Sequence, residues 1–364
     1  MTWGFGLRFL VATLGWNDNE WKVGTTGKDK TKLGWISLIL IITKYGEKGK
    51  CIICREENLE MSDEHVFPEA IKGHYHVYNV CKVCNSKMGE HVDTLLTNHF
   101  FIQAYRFSHK MKGKKGELPN PFSCVGVLEN GKKCRLDLND GLLVPFVLPE
   151  FSEVNTETGN ISFSIDASQE KEIDKIVEKI VKRNFPNRKP QLNKSERVIQ
   201  QIENPYITIS QEINISDFKM ALLKIAYEFT IDNIPDYIHD AEAVKISNVL
   251  HSCDCKRLDE ITFYGNGLYI EGNDVVDDIL GDYIDCKKET RHIALLMSFR
   301  QSTNCFVRIA NIFCVGIRMS EQIYKEAEPF IIGINDCDGI YKTYSLLSLI
   351  GEINKKRIEE EKDI

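Results

Sequence analysis

Four of the twelve cysteines stand in two Cys-x-x-Cys pairs, Cys51 with Cys54 and Cys81 with Cys84, separated by 26 residues. Thiolates so spaced suit one tetrahedral Zn2+, each pair making a tight knuckle and the metal joining segments remote in sequence. In a short module with little core, such a metal supplies folding energy that burial cannot. The competing reading is four reduced core thiols, which rarely fall into two such pairs. A polar set lies between and beside the cysteines. Glu64 and His65 are adjacent and followed by Val66-Phe67-Pro68, Asn79 precedes Cys81 by two, and Asn85 follows Cys84 directly. A histidine with an ordinary pKa of about 6.5 accepts a proton near neutral pH. A hard cation held by only two protein oxygens keeps positions open for water and phosphate. Phosphodiester hydrolysis needs this equipment: an activated water, neutralised phosphate charge and help for the leaving oxygen. Adjacent side chains on a strand point to opposite faces, so Glu64 and His65 divide their roles or converge through a distortion.

Taken together, Cys-x2-Cys, Glu-His-Val-x-Pro and Asn-Val-Cys-x2-Cys-Asn-x-x-x-Gly resemble the HNH endonucleases, closest to the subgroup with a four-cysteine zinc site. The resemblance covers residues 50–95. It implies a ββα-metal fold with Cys51, Cys54, Cys81 and Cys84 on structural Zn2+. It further implies His65 as general base, Glu64 and Asn85 as ligands of a separate catalytic Mg2+ or Mn2+, and Asn79 as a residue that holds the loop. Where many relatives carry Gly-Gly, this chain has Lys72-Gly73-His74, and its Asn79-to-Asn85 interval is short. His74, His76 and His91 lie close enough in sequence to serve as extra ligands or phosphate contacts, the plain alternative being surface histidines.

The elements that must position these residues follow from pattern. At 364 residues the chain is long for one core. Its fold class is expected to be α+β: a zinc-braced ββα-metal module followed by a mixed α+β C-terminal region. Residues 1–45 form an N-terminal extension, 46–100 the nuclease module, 101–200 connecting strands, a helix and a basic loop, and 201–364 an accessory domain. A helix is expected over 93–105. Glu129-Asn130-Gly131 marks a hairpin between 122–128 and 132–138, and Pro145 assigns 142–148 to a sheet edge. Helices are expected over 168–184, with one apolar face, and from Ser216 or Asp217, with Phe218, Leu222, Ile225, Ala226 and Phe229 on one face. The latter segment also resembles one found downstream of this HNH type. Another helix follows Pro235. Strands are expected at 261–264 and 268–270 around Gly265-Asn266-Gly267, a long hairpin at 292–299 and 306–317, and a last helix from about Tyr344.

A net charge of -7 rules out a surface coated in basic residues, but a local stripe is enough to hold phosphates. Lys110 to Lys115 and Lys179 to Arg197 are the candidates, against the bland reading of a solvated surface. The remaining cysteines read as small core residues, and Cys253-Asp254-Cys255 lacks knuckle spacing. Abundant thiols without a secretory signal fit a reducing cytoplasm. The apolar runs 3–16 and 33–43 fall short of the roughly 18 residues that span a bilayer, so no membrane partner is expected. The functional expectation is a metal-dependent endonuclease of bacterial or phage origin that acts on nucleic acid, double-stranded DNA first, in the cytoplasm. Restriction and phage defence are roles that the resemblance implies. A homo-oligomer or an activating partner is left open. The rival is a zinc-knuckle nucleic-acid-binding or regulatory protein that does not cut.

Overall fold

A computed structural model of the chain describes residues 48–113, 115–139, 142–151, 163–184, 206–210, 214, 216–272 and 274–362. The expected N-terminal extension and most of the basic 179–197 stretch lie outside those residues. The described chain is α+β and falls into two compact units, one between 120 and 212 and one made of the flanking segments. No helix among the described residues is long and apolar enough to cross a membrane.

The unit between 120 and 212 contains a four-stranded antiparallel sheet in the order β6-β5-β4-β9, built from β4 (Val125–Leu128), β5 (Lys133–Asn139), β6 (Leu142–Val147) and β9 (Ile207–Ile209). The Asn130-Gly131 turn closes the β4–β5 hairpin, with Gly131 at φ 81°. Pro145 sits opposite Leu136 on β6, at the sheet edge that a residue without an N–H can occupy. Two short strands, β7 (Glu150–Phe151) and β8 (Phe163–Ser164), pair nearby. They are followed by a helix, α4 (Ile173–Asn184), which a 3-10 turn capped by Asp166 introduces.

The other unit begins with β1 (Lys48–Gly49), β2 (Leu59–His65) and β3 (His76–Cys81), an antiparallel sheet leading into α1 (Lys82–Met88). A single π turn, Gly89–Asp93, joins α1 to α2 (Thr94–Thr97), and α3 (Phe100–Ser108) follows. The C-terminal part contributes α5 (Phe218–Asn233), α6 (Ala241–Ser252), α7 (Val275–Leu280) and α8 (Leu346–Lys362). It also holds a six-stranded antiparallel sheet, β10-β13-β12-β11-β14-β15. Its strands are β10 (Phe263–Leu268), β11 (Arg291–Phe299), β12 (Ser302–Ile309), β13 (Phe313–Ser320), β14 (Phe330–Asp336) and β15 (Ile340–Ser345).

α5 is the hinge of this packing. It lies against β11, β12 and β13, and it also meets α2 and the π turn. One apolar core therefore runs from Ile52, Phe67 and Met88 through Leu222 and Phe229 to Val307 and Ile317. The single apolar face expected for this helix is corrected here: residues on every side of it are buried, Lys224 and Glu228 included. A helix covered all round has no solvent face on which to place its charges. Asp217 holds the expected N-cap position without a side-chain bond, and just ahead of the helix Asn214 Oδ1 accepts from the backbone of Ser216 and Asp217.

Two strand expectations also change. Gly265-Asn266-Gly267 is an irregularity inside one strand, β10, and does not separate two strands. The expected 306–317 strand is broken at Ala310, whose φ of 49° turns the chain between β12 and β13 and makes a three-strand meander of the hairpin.

Candidate active site and zinc centre

The first knuckle forms because Cys51 N–H donates to Glu56 O and Arg55 N–H to Cys51 O, both at 2.9 Å, with Arg55 in the left-handed region. Ile52 N–H donates to Asn79 O at 3.0 Å, so the backbone of Asn79 stitches that knuckle to β3. The second knuckle is the end of β3 and the start of α1. Cys81 Sγ accepts from Cys84 N–H at 3.5 Å, while Cys81 N–H donates to Cys51 Sγ at 3.3 Å. The four sulfurs lie within 4.8 Å of one another. Thiolates 2.3 Å from a tetrahedral Zn2+ stand about 3.8 Å apart, so the set fits that ion in both chemistry and span. Sharing of protons within the cluster already separates the thiols: hydrogen bonding to Cys84 pulls Cys51 down to about 4, and burial pushes Cys54 up to about 11.

Above this base the β2–β3 hairpin displays its polar residues on two sides. On the more open side, His65 faces His76 across the pair, their ring centroids 4.1 Å apart. Asp63 Oδ1 is 2.7 Å from His76 Nδ1. The register shifts between Ser62 and Glu64, where β3 carries one residue more than β2. Burial, and then His76, hold the His65 imidazole below the ordinary 6.5, so it is a free base at neutral pH. Asn85, in the first turns of α1, donates from Nδ2 to Asp63 O at 2.7 Å and to Ser62 Oγ at 3.1 Å.

On the buried side, Glu64 is 3% exposed and ion-paired to Lys224 of α5. The Lys224 ammonium also donates to Asp93 Oδ1 at 3.0 Å and to His65 O at 3.1 Å. Burial alone would push Lys224 down, but Asp93, Glu228 and Glu64 hold it well above the ordinary lysine value. Glu228 lies 4.0 Å from that ammonium, neither of its oxygens has a hydrogen-bond partner among the described residues, and burial holds its carboxyl well above the usual range. Sequence reading missed Lys224, Asp93 and Asp63. The trace of the first in the sequence is a charged pair, Lys224 and Glu228, in a largely apolar helix, and by spacing alone it reads as a solvated pair.

The geometry thus sets His65 against His76 on one side of the hairpin and the Asn79 backbone against the first cysteine knuckle, ties Asn85, next to Cys84, to β2, and buries Glu64 against Lys224. The Asn79 side-chain oxygen is buried without a hydrogen bond among the described residues. His74 gives its backbone N–H to Asn335 Oδ1 at 2.7 Å, and His91 is exposed beside Glu90. The Lys72-Gly73-His74 departure has a physical reason. Lys72 adopts φ 64°, and a Cβ on Gly73 would lie 1.8 Å from Phe67 O, so only glycine fits. The loop is then clamped from the large sheet by Asn335, which donates to Lys72 O, and by His292, whose Nε2 meets Ile71 O.

The HNH endonuclease family model matches residues 51–101, and the chain carries an HNH endonuclease domain there. No curated protein and no solved structure matches the chain.

Proposed function

We propose that this domain is a metal-dependent nuclease that hydrolyses phosphodiester bonds in DNA, with His65 as the general base. The observation that carries the reading is His65 itself, a neutral imidazole on the open face of a hairpin whose stem the four thiols brace. A scaffold that only bound zinc would need the cysteines and no histidine pair with a carboxylate beside it.

In this reading His65 takes the proton of the attacking water, and the zinc-braced knuckles keep the hairpin rigid. His76 packs on that ring, and the bond from the Lys224 ammonium to His65 O fixes the strand that carries it. A divalent cation, when bound, supplies charge neutralisation at the phosphate and assistance to the leaving oxygen. The family resemblance assigns it to Glu64 and Asn85. Asn85 anchors α1 against the strand, while Glu64 already serves Lys224. The His65 face is the side from which a phosphate backbone would approach.

Labelled DNA and RNA duplexes incubated with Mn2+ and the zinc-loaded chain test the reading. Cleavage of the DNA duplex, lost in His65→Ala, is expected. Cleavage of RNA alone would overturn the substrate assignment. Tight binding of either duplex without cleavage would favour the zinc-knuckle binding protein.

A further inference from the structure

The HNH match ends at residue 101, and the chain turns basic soon after it. Residues 106–117 carry five cations, Arg106, Lys110, Lys112, Lys114 and Lys115, against one carboxylate, Glu117, in a protein of net charge -7. Lys110, Lys112 and Lys115 are exposed and have no counter-ion among the described residues. Arg106 is 8% exposed, yet no carboxylate pairs with it among the described residues, and its Nε has no hydrogen bond there. A cation buried without a partner costs stability, so the fold keeps this one at a loss. Its guanidinium end lies against the lysine loop: a Cβ on Gly113 would stand 3.4 Å from Arg106 Nη2.

The loop has a fixed form. Met111 N–H donates to Arg106 O at 2.8 Å, and the Met111 side chain is buried with Tyr105 and Ala310. Lys110 adopts φ 53°, and Gly116 N–H closes a turn onto Gly113 O at 2.9 Å. The Tyr105 ring stands 6.3 Å from that of His292, whose Nε2 meets Ile71 O in the loop of the β2–β3 hairpin. The basic loop and the hairpin loop thus share one support.

We infer that Arg106, Lys110, Lys112 and Lys115 form a clamp for the phosphate backbone of the DNA that the neighbouring hairpin cuts. The inference rests on the nuclease reading above. A guanidinium meets a phosphate with two parallel N–H donors, and lysines add point charges along the strand. Such contacts position a duplex without reading its sequence. A phosphate at Arg106 supplies the counter-charge that the fold withholds from it.

The test is fluorescence anisotropy of a labelled DNA duplex titrated with the zinc-loaded full chain, without Mn2+, at several salt concentrations. The variants are Arg106→Gln and the triple Lys110→Gln, Lys112→Gln, Lys115→Gln. The control is Lys287→Gln, Lys288→Gln, Lys342→Gln, which removes three cations already paired with carboxylates. Each lost phosphate contact flattens the plot of log affinity against log salt by about 1. Arg106→Gln is therefore expected to lower the slope by about 1 and the triple variant by about 3, with several-fold weaker binding per contact near about 0.1 M salt. The control should keep the wild-type slope. The melting temperature of Arg106→Gln should hold or rise, because an unpaired buried charge is gone, whereas loss of a structural arginine would lower it. Wild-type affinity and slope in both Arg106→Gln and the triple variant would overturn the clamp, as would an equal loss in the control. If cleavage remains His65-dependent in either case, only the clamp fails. A wild-type chain that binds an RNA duplex and not DNA would overturn the partner. One that neither binds nor cuts DNA would overturn the nuclease reading and the clamp with it.

Discussion

Replacing Lys224 by Met keeps most of the volume of the side chain and removes its charge. Glu64, 3% exposed, then has no cation in a dry site, and Asp93 and His65 O lose a donor. Glu228 is 4.0 Å from the ammonium, beyond hydrogen-bond reach, and loses less. Removing one partner of a buried ion pair costs about 3 to 5 kcal/mol. At about 2 to 4 °C per kcal/mol for a unit of this size, the melting temperature of the zinc-loaded protein should fall by roughly 6 to 20 °C. Lys224→Met combined with Glu64→Gln removes both charges and should be less destabilised than Lys224→Met alone, since the stranded carboxylate is gone. Thermal unfolding followed by circular dichroism, at fixed pH and zinc content, reads both. The deficit of the single variant should narrow as pH falls, because Glu64 can then take a proton. A melting temperature within about 2 °C of wild type for Lys224→Met would refute the reasoning, because the shift expected of a broken buried pair is several times larger.

Cys81→Ser removes one thiolate from the tetrahedral set and should release the zinc and unfold the hairpin. Retention of one zinc per chain by metal analysis would contradict the ligand set. His292 is fully buried and held down to about 4, burial being the main cause. Ala310 N–H donates to its Nδ1, so Nε2 carries the proton that Ile71 O accepts. The unfolded chain protonates this group near the ordinary 6.5 and the folded chain does not. Stability should therefore fall by about 3 kcal/mol between pH 6.5 and 4, full above that window and lost as pH drops through it. Urea midpoints across that range check it, and His292→Gln should flatten the slope.

How much of this was legible in the sequence depends on whether the governing contacts are local. The two cysteine knuckles are, since Cys-x-x-Cys is itself a chelating spacing and Cys81 both ends β3 and caps α1. The Asn130-Gly131 turn and the edge position of Pro145 follow from backbone rules that need no neighbour. The role of Lys224 was not legible. At four residues from Glu228 it looks like a solvated i,i+4 pair, and only the packing of α5 between the residues matched by the HNH model and the large sheet buries it. Nor was Asp63, because the motif draws attention to Glu64 and His65, whereas Asp63 reaches His76, the cross-strand partner of His65, through its side chain alone. The turn at Ala310 carries no glycine or proline to announce it, and its conformation is fixed partly from outside, by the bond from Ala310 N–H to His292.

The most direct test of the central claim is conversion of supercoiled plasmid by the purified zinc-loaded chain with Mn2+, beside His65→Ala of equal zinc content. The account predicts nicked or linear plasmid from wild type only, stopped by chelation under conditions that leave the zinc in place. Equal cleavage by His65→Ala, or intact plasmid from wild type with Mn2+ bound at the site, would contradict it.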